Sequence, residues 1–228
     1  PAPPPDRFAA ALKVAGVRVS GTVAAGRAAE DAVPVAAVES APVGEQVEHL
    51  LEYSDNEAAE AMLRQVGLAA SREGSTAAGL AGVASVLRRL DVPLPERQLD
   101  GSGLSRRDLI GADTFVALLR AVATASADSP LRSLLDGLPV AGFSGSLAAR
   151  FDQVAPAGRG VIRAKTGTLT GVSGYAGVGA DADGVPFVFV IIADRVRTDG
   201  PGTLEARAAL DRAAAALATC RCGSAAAG

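Results

Sequence analysis

The chain has 228 residues, enough to bury a full core in one large domain or two small ones. Apolar residues make up 49% of it and charged residues 21%, a globular composition that excludes a disordered or collagen-like chain. A net charge of −3, scattered arginines and the absence of tryptophan exclude two further classes. These are electrostatic capture of nucleic acid or anionic lipid, and an aromatic platform for single strands.

The first segment, PAPPPDRF, reads as a linker or cut point over residues 1–5, without the charged-then-apolar pattern of a secretion signal. DRFAAALKVAG follows as a short helix, with Asp6 as candidate N-cap and Gly16 as stop. VRVSGTV from Val17 alternates as a strand does, and VPVAAVES from Val33 is a second expected strand. VGEQVEHLLEYSDNEAAEAMLRQVG predicts two helices broken at Tyr53-Ser54-Asp55. GSTAAGLAGVASVLRRLD is a helix with a Ser/Thr start and arginines in its last turn. PERQLDGSGLSRRD is turn-rich, and ADTFVALLRAVATAS is a helix capped by Asp113 or Thr114.

GRGVIRAKTG, TGVSGYAGVGA and GVPFVFVIIAD then follow at short turns, as an antiparallel three-strand meander. VPFVFVII is apolar on both faces and is expected at the centre of the sheet, covered on both sides. GTLEARAALDRAAAALATC closes the pattern as a long amphipathic helix. The expected class is α+β, an antiparallel β-sheet flanked by helices on both faces. No apolar run approaches the roughly 20 residues of a membrane-spanning helix. Cys220 and Cys222 are too few for a metal site and awkwardly close for a mutual disulfide. At least one is read as disulfide-bonded, with a partner elsewhere in the protein as a candidate. Free thiols on a frayed tail are the alternative.

Three stretches carry more chemistry than folding requires. Ser54-Asp55-Asn56 sets a hydroxyl and a carboxamide at a helix junction. Alone it reads first as a cap, with Glu57 completing a capping box from Ser54. Lys165-Thr166-Gly167-Thr168 ends a strand. The chain has two lysines, Lys13 and Lys165, among 22 basic residues. A compact ammonium suits a crowded carboxylate site better than a guanidinium fork does, and Gly167 would let a ligand backbone approach. An exposed lysine before a turn is the plainer alternative. Asp100 to Ser105, DGSGLS, reads best as a structural turn. His49, the single histidine, has no evident partner for a Ser-His-Asp triad. No group of residues has metal-ligand spacing, and no cofactor is implied.

The order of these triplets is more specific than any one of them. SDN at a helix junction, then KTG on a strand, are the second and third elements of the active-site serine penicillin-recognising enzymes. The blocks LLEYSDNEAAEAMLRQVG, LDGSGLSRRD, LPVAGFSGSLAARF and VIRAKTGTLTGVSGYAGV span residues 50–178. Through them the chain resembles the C-terminal part of a D-alanyl-D-alanine carboxypeptidase/endopeptidase of the penicillin-binding protein 4 type, the S13 peptidase family.

That resemblance implies a partial β-lactamase/transpeptidase-like fold over residues 6–228 and an extracytoplasmic location. It implies a serine-type DD-peptidase acting on peptidoglycan stem peptides by acyl transfer, intercepted by β-lactams. Lys165 would attract the substrate's terminal carboxylate, with the hydroxyls of Thr166 and Thr168 hydrogen-bonding near it. The strand from Lys165 through Gly167 to Thr168 would pair with the extended substrate, and the Thr168 N–H would face the oxyanion. Asn56 would bind a substrate amide, and Ser54 would relay a proton. The family's first element, S-x-x-K, is missing: Ala10 precedes Lys13 by three residues, and Ile162 precedes Lys165. The expectation is an upstream segment or partner chain that carries the nucleophile, with this chain inactive alone and exposing an apolar face without it. Two other readings remain: a non-catalytic domain that binds peptidoglycan peptides, and a β-lactamase relative.

Overall fold

The computed structural model describes residues 5–21 and 26–222. It divides into a unit over residues 1–40 and a unit over residues 41–228. In the first, helix α1 (Pro5–Val14) ends at Gly16, whose φ of 81° is the left-handed stop expected there. Residues 1–4 of the expected linker lie outside the described residues, and Pro5 already belongs to α1. The two strands expected from Val17 and Val33 do not form over their described residues; Thr22 and Val23 lie outside them. Alternation is a local property, whereas a strand needs a neighbour for its backbone groups, and the sequence pattern could not supply one.

The second unit begins with α2 (Val43–Tyr53) and α3 (Asn56–Ser71), broken where expected. The α3 cap is Asp55, whose carboxylate accepts from the Ala58 N–H at 2.9 Å, and no Ser54–Glu57 capping box forms. α4 (Thr76–Arg89) is capped by Ser75 through the Ala78 N–H and packs back on α3. Gly79 permits this approach, because a Cβ there would collide with the Leu63 carbonyl. α5 (Ala112–Ala123) starts from Gly111 with no side-chain cap, so neither Asp113 nor Thr114 holds the role expected of it. A 3-10 turn at Pro130–Arg132 leads into the short α6 (Ser133–Asp136).

Three strands follow as an antiparallel meander: β1 (Arg163–Leu169), β2 (Val172–Ala180) and β3 (Pro186–Ala193), in the order β1-β2-β3. The expected α+β class is therefore present, but β2 is the central strand and β3 an edge. The apolar faces of β3 reflect two covering layers instead of a central place. Phe189 packs into the core with α7 (Gly200–Thr219), while α5 packs on β2 and β3 near Val190. Cross-strand partners share a face. Lys165, Ala176 and Val190 form one row on the α5 side, and Thr166, Tyr175 and Ile191 form the next row on the other.

The core lies between the sheet and α7, around Phe151, Leu147, Ile162, Tyr175 and Phe189. Burying each large side chain contributes about 1.5–3 kcal/mol. Ala214, Ala215 and Ala218 face it from α7, and their small side chains let the helix lie close to the sheet. A hydrogen-bonded polar cluster sits inside. Asp211 on α7 accepts from Arg150 Nε at 3.0 Å and Nη2 at 2.8 Å, and from the Tyr175 hydroxyl at 2.5 Å. The guanidinium also stacks 5.4 Å from the centre of the Tyr175 ring. Burial, and then the hydrogen bond to Asp211, push the Tyr175 phenol far above its ordinary value, so it stays a donor. Cys220 and Cys222, thought awkward for pairing, are disulfide-bonded to each other just after α7.

Candidate functional site

The break between α2 and α3 places Ser54. Its N–H and that of Asp55 both close on the Leu50 carbonyl, and Ser54 takes φ 57°. A left-handed serine costs about 1 kcal/mol or more, so the two helix ends must hold it there. That backbone turns its hydroxyl toward β1. Lys165 Nζ donates to Ser54 Oγ at 2.6 Å and to the Thr166 carbonyl at 2.8 Å. Burial pushes the Lys165 ammonium below its ordinary value. The structure thus joins two stretches 111 residues apart in sequence.

β1 has a half-covered outer edge. The segment Pro139–Ala141 runs beside its start: Ala141 N–H donates to the Ile162 carbonyl, and Ala164 N–H to that of Pro139. Beyond Ala164 no described backbone segment pairs with this edge through Thr168. Ladder alternation places the N–H groups of Thr166 and Thr168 on the side of Ala164's, facing this open edge. Gly167 is exposed, and a methyl group added to it would meet nothing within 4 Å. No packing within the described residues demands a glycine there.

The other wall comes from DGSGLS, which is a turn as expected. Asp100 accepts from its own loop's N–H groups, Gly103 and Ser105, each at 2.7 Å. Glu60 on α3 accepts from Gly101 and Ser102, each at 3.0 Å. Burial pushes the Glu60 carboxyl up, but these bonds and the Arg64 charge outweigh it, and the net movement is down. Sequence reasoning missed Glu60; the signal was its place one helical turn after Asn56, on the helix that SDN begins. Together the elements enclose a cleft of about 340 Å³ lined by Ser54, Asn56, Ser102, Lys165 and Thr168, with Phe115 of α5 at its apolar end. All six residues expected to act, Ser54, Asn56, Lys165, Thr166, Gly167 and Thr168, line this one cleft. Such a site offers an ammonium, four hydroxyls, a carboxamide and an open strand edge.

His49 has a neighbour after all. Its Nε2 stands 4.0 Å from the Asp55 carboxylate and its ring lies 4.9 Å from that of Tyr53, both close in sequence. Among the described residues no three metal-ligating side chains gather.

The family model described as D-Ala-D-Ala carboxypeptidase 3 (S13) matches residues 5–217. The chain belongs to this family. The S13 chain is 35% identical to "Carboxypeptidase DacB" of Mycolicibacterium smegmatis over 193 residues, 83% of this chain and 40% of that protein. It is 37% identical to the "D-alanyl-D-alanine carboxypeptidase" of an Actinomadura species, over 75% of this chain and 32% of that one. Its fold superposes on Haemophilus influenzae penicillin-binding protein 4, solved in complex with a β-lactam, with a TM-score of 0.74. That match has 27% identity and covers 91% of this chain and 50% of the other. The S13 chain spans well under half the length of the two curated relatives.

Proposed function

We propose that the complete protein is a serine-type D-Ala-D-Ala carboxypeptidase, with endopeptidase action on cross-links as a further outlet, and that residues 6–228 supply the substrate-anchoring half of its site. The observation that carries this is the convergence of Ser54, Asn56 and Lys165 beside the open edge at Thr166–Thr168. An extended peptide pairs with that edge, and Lys165 attracts its terminal carboxylate. Asn56 holds a backbone amide of the substrate. The Thr168 N–H faces the carbonyl oxygen as it becomes an oxyanion; removing one such donor typically costs about 3 kcal/mol. Ser54, bonded to Lys165, passes a proton toward the leaving amine.

The attacking serine and its lysine lie on a segment of the protein outside this chain. That segment also covers the apolar end of the cleft, where Ile192 of the edge strand β3 is 48% exposed. Peptidoglycan stem peptides as the substrate class support a location outside the cytoplasm. β-Lactams occupy the same site, as the complex of the Haemophilus relative supports.

Labelling by a fluorescent penicillin tests the reading. The complete protein should be labelled, and Lys165→Ala should slow labelling by 100-fold or more. No labelling of the complete protein would favour a non-catalytic peptide-binding domain instead.

A further inference from the structure

The open edge of β1 has a definite end, and one side chain stands at it. After pairing with β1, the segment from Pro139 leaves the strand in a tight loop. The Val140 N–H donates to Ser144 Oγ, and Gly142 N–H to the Leu147 carbonyl. Gly145 sits at φ 51° against the end of α2, where a Cβ would collide with the Glu52 carbonyl. Leu147, fully buried, anchors the loop from below. A 3-10 turn at Gly145–Leu147 then projects Ser146, which is exposed, back to β1. There the Thr166 hydroxyl donates to Ser146 Oγ at 2.9 Å. The loop is therefore fixed on three sides, by β1, by the helix that delivers Ser54 and by the core. Its one polar side chain aimed at the open edge is Ser146.

We infer that Ser146 is a binding residue whose hydroxyl, held by that of Thr166, donates to the terminal carboxylate of a peptide seated on the open edge. The inference rests on the function proposed above. A peptide laid along Thr166–Thr168 cannot extend past Ala164, because Pro139 already occupies that N–H. A chain end, not a chain interior, fits at this stop. Thr166 spends its proton on Ser146, which leaves the Ser146 proton to donate outward. Lys165 flanks the edge from the α5 face, and the Thr166–Ser146 pair flanks it from the other. A carboxylate between them gains a charge on one side and the Ser146 hydroxyl donor on the other. A hydrogen bond to a charged group contributes roughly tenfold or more in affinity.

The test compares acylation of the complete protein by a penicillin with its free carboxylate and by the methyl ester of the same penicillin. Ser146→Ala should slow the free acid about tenfold and leave the ester within about twofold. Ser146→Thr should restore the rate with the acid, and thermal unfolding should be alike in all three proteins. Equal slowing of acid and ester would assign Ser146 a structural role, and no slowing would remove it from the site; either overturns this inference while the peptidase reading stands. A complete wild-type protein that neither probe acylates would overturn both.

Discussion

The role proposed for Ser54 sets its chemistry against its backbone. A left-handed serine is strained, and a glycine would sit there at no steric cost. Ser54→Gly and Ser54→Ala remove the same hydroxyl, but only the first relieves the backbone. Denaturant unfolding of the complete protein should show the glycine variant more stable than the alanine variant by about 1 kcal/mol. Both should be acylated more slowly than wild type by a β-lactam. Gly167 poses the converse case. An alanine there meets open space, so Gly167→Ala should leave the unfolding midpoint unchanged or slightly raised, and still slow acylation by blocking the strand edge. Lys165 is held below its ordinary value by burial, so its charge opposes folding until pH rises toward 10.5. Lys165→Ala should accordingly cost far more in acylation than in stability.

Among elements, the DGSGLS loop and its tether on α3 form a unit. Glu60→Gln keeps an acceptor but loses the charge that strengthens both N–H bonds. Hydrogen exchange at Gly101 and Ser102 should quicken by about tenfold in that variant. The Glu60 carboxyl is depressed below 4.5, so its contribution is present above that pH and lost as pH falls through the folded value. The stability gap between wild type and Glu60→Gln should therefore be widest near neutrality and close in acid. The Arg150–Asp211–Tyr175 group ties α7 to the central strand in the same way. Asp211→Ala strands a guanidinium and a phenol in the interior, and should cost about 3–5 kcal/mol by denaturant unfolding.

The elements were legible where local chemistry decides them. The α2–α3 break, the α4 cap and the meander follow from caps, glycines and alternation. The strands expected from Val17 and Val33 were not, because a strand depends on a partner that no local pattern reveals. The same limit misplaced β3, whose apolar faces record the helices above and below it and not its order in the sheet.

At the scale of the whole molecule, the candidate site was legible as residues but not as a contact. SDN and KTG could be named from their order, yet the Lys165–Ser54 bond spans 111 positions and exists only in the fold. Glu60 and Ser146 were not singled out because each meets its partner through a backbone or hydroxyl that a distant segment presents. On the function proposed, this chain anchors the substrate and another segment of the same protein attacks it. Peptide mapping by mass spectrometry after β-lactam treatment of the complete protein tests this division. One acylated serine should lie outside residues 1–228, and the 228-residue chain treated alone should carry no adduct. An adduct on Ser54, or on any other residue of this chain, would contradict it.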